Sequence, residues 1–246
     1  MSAEPFDLTG TVSIVTGGSR GIGKALALGL ASAGSDVAVA SRKLENCQQV
    51  ADEIEKQTGR RALAVAYHAG KWEDNDRLAE TVYAEFGRCD VLVNNAGTSP
   101  PYEDLPSISE ALWTKVHQVN AMGPFRLGAL IGARMAGTED GGSIINVSSS
   151  AAVRPSPDNV VYAMSKAALD SLTLGLAACY GPKVRVNGIY PEIIATEMTG
   201  AWALLEETVR STGRDRVGQP DDLVGTCVFL ASKAAKYVTG SIISVS

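Results

Sequence analysis

Seven short runs rich in valine, isoleucine and alanine, spaced by longer segments of helical periodicity, constrain this chain more than any other feature. The runs are Val12–Thr16, Asp36–Ala40, Ala62–Ala66, Val91–Asn94, Ser143–Val147, Val184–Ile189 and Ser241–Val245. Strands that are apolar almost throughout must be covered on both faces, and helices alternating with them supply that cover. Helix candidates are Gly21–Ser32, Leu44–Thr58, Asp74–Phe86, Ser109–Met135, Val160–Tyr180 and Asp221–Ala231, with Gly34, Gly59 and Gly87 as stops. The fold class predicted is α/β, a doubly wound sheet of seven parallel strands flanked by helices.

The alternation never breaks for a linker, a repeat or a low-complexity stretch, so the 246 residues are read as one domain. The exception to the rhythm is a segment at about 196–216, where Ala201-Trp202-Ala203-Leu204-Leu205 is apolar outside any strand–helix unit. It reads either as a substrate lid or as an ordinary surface helix. Glycine, serine or charge interrupts every apolar stretch short of the ~20 residues a membrane span needs, and Met1–Asp7 lacks the basic and apolar regions of a secretory signal. A net charge of −5 argues against nucleic acid as a partner, which would call for a basic stripe. Cys47, Cys89, Cys179 and Cys227 are dispersed without CxxC spacing, which predicts neither a metal site nor a disulfide framework and points to a cytoplasmic location.

The first strand runs into Thr16-Gly17-Gly18-Ser19-Arg20-Gly21-Ile22-Gly23, and a helix starts at once. A strand that turns sharply into a helix N-terminus offers unpaired backbone N–H groups and the positive end of a dipole. Absent side chains then let a pyrophosphate come close. This is the arrangement of a Rossmann-type dinucleotide site. In the usual fingerprint an acid about 20 residues further on binds the adenosine ribose, but here the second strand ends Ala40-Ser41-Arg42-Lys43. Arg20 and Arg42 are therefore expected to converge on a 2′-phosphate, with Ser19 and Ser41 beside them, favouring NADP(H) over NAD(H).

Tyr162-Ala163-Met164-Ser165-Lys166 lies on a predicted helix, and four-residue spacing stacks tyrosine and lysine on one face. Tyrosine ionises near pH ~10, so acid–base work at neutral pH needs a nearby cation, and Lys166 is placed to be it. Ser148, Ser149 and Ser150 follow the strand Ser143–Val147, whose end faces the same edge as the glycine turn. A hydroxyl there can donate to a substrate carbonyl oxygen, and spacing alone does not select among the three.

Taken together, Thr16-Gly17-x-x-x-Gly21-Ile22-Gly23, Asn94-Asn95-Ala96-Gly97, Asn120, Ser149, Tyr162-x-x-x-Lys166 and Asn187 resemble the short-chain dehydrogenase/reductase family, over essentially the whole chain. The resemblance implies that Ser149 is the serine that orients the substrate oxygen and Tyr162 the acid–base. Lys166 would hold the nicotinamide ribose and lower the tyrosine pKa, and Asn120 would anchor a water in the proton relay. It implies further cofactor contacts from Asn94, Ala96 and Gly97 on the adenosine side, and from Pro191, Ile194 and Thr196 at the nicotinamide.

Three features depart from the family pattern. Glu192 follows Pro191 where glycine is usual, and adds a side chain and a charge near the cofactor. His68 ends the third strand where an acid commonly contacts the adenine, and is expected either to touch that base or to be an exposed histidine. Ser244-Val245-Ser246 follows the last strand without the turn and tail of many relatives, which puts a tetramer in question. The expected activity is NADPH-dependent reduction of a ketone or 3-oxoacyl group to a secondary alcohol, or the reverse, resembling 3-oxoacyl-carrier-protein reductases and carbonyl reductases. The substrate is then a small carbonyl or alcohol, an acyl thioester included, and the assembly a homotetramer or homodimer. The alternatives are an NAD-dependent alcohol dehydrogenase of the same family and a dinucleotide-binding protein with little catalysis.

Overall fold

The computed structural model describes residues 5–196, 209 and 215–246. Seven strands form one sheet: β1 (Val12–Thr16), β2 (Asp36–Ser41), β3 (Ala62–Ala66), β4 (Val91–Asn94), β5 (Gly142–Val147), β6 (Val184–Pro191) and β7 (Ile242–Val245). Every pairing is parallel and the order is β3-β2-β1-β4-β5-β6-β7. After β3 the chain crosses to the other side of β1, so the order reverses between β1 and β4. A crevice opens there at the carboxyl ends of the strands, where α/β sheets bind their ligands.

Alternation along the strands sends side chains into two cores. Val15, Val37, Val39, Val93 and Ile145 face one layer, which contains Leu26 and Leu30 of α1 (Gly21–Ser32), Val50 and Ile54 of α2 (Leu44–Thr58) and Leu230. Ile14, Ala38, Val65, Leu92 and Ile144 face the other, with Leu78 and Val82 of α3 (Trp72–Phe86) and, from later in the chain, Leu127, Ile131 and Leu176. Gly59 and Gly87 end α2 and α3 in the left-handed conformation, as their placement as stops requires.

The expected helix Ser109–Met135 is broken into α4 (Glu110–His117), a π-helical turn Gln118–Met122 and α5 (Gly123–Ala136). Ser109 caps α4 by accepting from the Leu112 N–H at 3.2 Å. The long α6 (Val160–Tyr180) follows β5, and α7 (Val224–Ala231) begins after a 3₁₀ turn, Pro220–Leu223, rather than at Asp221. Of the expected lid, Thr196 and residues 215 and 216 are described together with Val209; Ala201–Leu205 lies outside the described residues. Among the described residues no helix is long and apolar enough to cross a membrane.

Candidate active site

The glycine turn is built by close approach. Gly17 and Gly21 have φ of 65° and 51°, in the left-handed region that favours glycine. A Cβ on Gly23 would stand 2.2 Å from the Gly17 carbonyl oxygen and 2.4 Å from Asn95 Nδ2, so only glycine lets α1 start against the turn. Thr16 Oγ1 accepts from the backbone N–H groups of Asn95 (3.0 Å) and Ala96 (3.1 Å), and Asn95 Nδ2 donates to the Thr16 carbonyl at 2.9 Å. These bonds lock the ends of β1 and β4 together beneath the turn. Arg20 is the N-cap of α1, whose first turn has no side-chain cap and no acid, leaving its N–H groups for an anion. Ile22 packs on the core.

At the end of β2, Ser19 donates to Ser41 Oγ at 3.0 Å, joining the two serines expected at the ribose. Arg42 is exposed next to them. His68 is half-buried: its Nδ1 accepts from the Gly70 N–H at 3.1 Å, so the proton sits on Nε2. Asn94 is buried, and its amide donates to Asn146 Oδ1 at 2.9 Å; Asn146 Nδ2 in turn donates to Thr173 Oγ1. That side chain ties the sheet to α6, and the neighbouring Asn95 is the one that closes on the turn. Gly97 lies where a Cβ would meet both Asn120 Oδ1 and Lys166 Nζ at 3.6 Å.

The chemistry-bearing groups meet at the end of β5. Ser149 is extended, its Oγ accepts from the Ala151 N–H at 3.2 Å, and its hydroxyl stands next to the Tyr162 phenol. Ser148 is buried and turned away, donating to the Lys166 carbonyl at 3.3 Å, so geometry too separates Ser149 from its neighbour. Lys166 is 3% exposed; its Nζ donates to the Val147 carbonyl at 2.7 Å and lies 5.7 Å from the Tyr162 ring centroid. Burial lowers the Lys166 ammonium to about 8. Burial also pushes the Tyr162 phenol up, with the Ser149 hydrogen bond acting the other way. The expected lowering by Lys166 is not what dominates: its charge is directed at a carbonyl beside the ring, and desolvation is the larger effect.

Asn120 sits in the π-helical turn with both ends of its side-chain amide hydrogen-bonded. Its Nδ2 donates to the Thr98 carbonyl and to Ser165 Oγ, each at 2.9 Å, and its Oδ1 accepts from the Thr98 N–H at 2.9 Å. Ser165 in turn donates to the Tyr162 carbonyl at 2.6 Å. One Oδ1 lone pair remains for a water. Thr98 and Ser165 were not singled out in the sequence, although Ser165 lies inside the Tyr-x-x-x-Lys spacing.

Pro191 ends β6 opposite Val245, Ile194 is buried and bridges Gly218, and the Thr196 methyl reaches the glycine turn, 3.6 Å from where a Cβ on Gly21 would stand. Glu192 does not face solvent. It is 11% exposed and accepts from Arg154 at 2.5 Å, tying the loop after Ser149 to the end of β6. Asn187 donates to the Val238 carbonyl and accepts from the Ser241 N–H, which seats β7.

Residues 17–246 match the family model described as Enoyl-(Acyl carrier protein) reductase. The human protein named Dehydrogenase/reductase SDR family member 4 is 35% identical over 243 residues, covering 97% of this chain and 87% of its own. The crystal structure of a putative short-chain alcohol dehydrogenase from Sinorhizobium meliloti superposes with a TM-score of 0.91 at 36% identity, covering 99% of this chain and 97% of that one. That of a putative NAD(P) dependent gluconate 5-dehydrogenase from Beutenbergia cavernae, with bound NADP, superposes with a TM-score of 0.91 at 35% identity, covering 99% and 98%.

Proposed function

The chain belongs to the short-chain dehydrogenase/reductase family and is an oxidoreductase acting on CH–OH groups, and from that premise we propose that it reduces a ketone or 3-oxoacyl group to a secondary alcohol, or the reverse, with Tyr162 exchanging the proton. The observation that carries this reading is the joining of Ser149, Tyr162 and Lys166 at the end of β5, beside a turn whose glycines leave room for a pyrophosphate. The cofactor is NADP(H), as bound in the solved structure of the gluconate 5-dehydrogenase relative. When bound, its nicotinamide supplies or accepts the hydride.

Each residue then has a task. The Ser149 hydroxyl donates to the substrate oxygen and holds it beside the Tyr162 hydroxyl, where charge develops as the carbonyl is reduced. Tyr162 gives its proton to that oxygen. Because burial raises its pKa, the phenol is present as the acid at neutral pH, the form that reduction needs. Lys166 is anchored to the Val147 carbonyl and its cation offsets the phenolate left after transfer. Asn120 fixes the segment after β4 against α6 and offers an oxygen to a relay water.

The pyrophosphate would rest on the uncapped first turn of α1 and the backbone from Gly17 to Gly23. Ser19, Ser41 and Arg42 support a 2′-phosphate in place of the ribose-binding acid that favours NAD. Asn94, Ala96, Gly97 and His68 would border the adenosine half, and Pro191, Ile194 and Thr196 the nicotinamide. The test is Tyr162→Phe: turnover with NADPH across a panel of ketones and 3-oxoacyl thioesters should vanish while NADPH binding persists. Full activity in that variant would refute the assignment.

A further inference from the structure

One turn beyond Lys166 on α6 stands Asp170, which continues the four-residue series Tyr162, Lys166 along the same helix face. Its Oδ2 accepts from the hydroxyl of Tyr190, the residue before Pro191 on β6. Its Oδ1 is sheltered from solvent without a hydrogen-bond partner. The neighbouring Ser148 hydroxyl has one proton and directs it to the Lys166 carbonyl, so it serves the carboxylate only by turning.

A sheltered carboxylate is unfavourable unless a cation faces it. The groups that face Asp170 are Lys166 on its own helix, Ser148 at the end of β5 and Tyr190 on β6; Lys166 alone among them is charged. Lys166 has the converse need. Its surroundings are the Val147 carbonyl from β5, the Tyr162 ring on α6, Gly97 from the segment after β4 and Asn120 from the π-helical turn. None of these carries a negative charge, and burial drives the amine toward its neutral form with Asp170 opposing it. Neither Asp170 nor Tyr190 has a task in the reaction as laid out above.

We propose that Asp170, oriented by Tyr190, is a positioning residue for the reaction: a fixed counter-charge that keeps the Lys166 ammonium protonated inside the fold. The proposal rests on Lys166 acting as a cation in the proposed reaction, so its test includes a measurement that needs no turnover.

That measurement is the titration of the Lys166 side-chain Cε resonance in the cofactor-free protein, assigned as the signal lost in Lys166→Arg. A nearby opposite charge favours the protonated amine, so Asp170→Asn should lower the midpoint by about one pH unit. Asp170→Ser should do the same, Asp170→Glu should keep the native midpoint, and Tyr190→Phe should fall between. The alkaline limb of kcat/KM with NADPH should move to lower pH by the same amount in Asp170→Asn, because the neutral amine then takes over earlier. An unchanged Lys166 midpoint in both Asp170→Asn and Asp170→Ser overturns the proposal, and so does a shifted midpoint with an unmoved alkaline limb. Activity that survives Tyr162→Phe would instead remove the functional reading, and the Lys166 titration would still decide whether Asp170 sets that charge.

Discussion

Arg42 stands exposed just past β2, beside the Ser19–Ser41 pair, and makes no ion pair among the described residues. An arginine so placed is a fork of donors without a protein acceptor, which suits a phosphate. A hydrogen bond to a charged group contributes about 1.5–3 kcal/mol, so Arg42→Ala should weaken NADPH binding by roughly ten- to a hundredfold and leave NADH binding nearly unchanged. Fluorescence titration with the two cofactors checks this; an equal loss for both would remove the phosphate reading. The motif containing Arg42 was legible in the sequence because strand end, turn and helix start are contiguous. Partners brought together across the fold were not. Arg154 meets Glu192 over 38 positions, and neither residue's local pattern announces the other. The three serines after β5 were equivalent by spacing; the family resemblance singled out Ser149, and the turn at Ser150–Ala152 sets it beside Tyr162 while Ser148 lies under α6.

At the scale of elements, the seat of α1 is the most demanding contact in the site. Gly23 faces the carbonyl of Gly17 and the amide of Asn95 so closely that a methyl group needs the helix to move away from β1 and β4. Such overpacking costs about 1–3 kcal/mol, and here it also displaces the N–H groups meant for the pyrophosphate. Gly23→Ala should therefore lower the urea midpoint and abolish measurable NADPH binding together; a variant that binds NADPH normally would show that the turn tolerates displacement. Strands and most helices could be read from the chain because both depend on local periodicity. The π-helical turn could not, since Gln118–Met122 continues the helical pattern and its insertion is imposed by packing: Asn120 must reach Thr98 and Ser165 at once. The extra length of β6, carried to Pro191, likewise comes from a partner, the pairing of Tyr190 and Pro191 with Ser244 and Val245.

For the whole molecule, buried weak acids set the response to alkali. Cys227 and Tyr83 are each raised by burial to about 12, and the same cause raises Cys47, Cys89, Tyr67 and Tyr162. Each stays protonated in the fold at a pH where the unfolded chain has lost that proton, because an unfolded thiol ionises near ~8.5 and a phenol near ~10. The unfolded state then binds fewer protons, and stability falls as pH rises above the unfolded values and through the folded ones. Lys166 acts in the opposite sense. Its folded pKa of about 8 lies below its unfolded one, so between the two the unfolded chain holds the extra proton and stability rises. The acids raised by burial outnumber the bases that it lowers. The urea midpoint should hold up to mildly alkaline pH and drop steeply beyond, each fully differential group adding about 1.4 kcal/mol per pH unit to the slope. Cys227→Ala isolates one of them: it lowers stability at every pH by opening a cavity, yet above the ordinary thiol range its curve should be shallower than the native one by about a single group's slope. Two parallel curves would mean that the Cys227 thiol ionises as readily in the fold as out of it, against its complete burial beside β5 and β6.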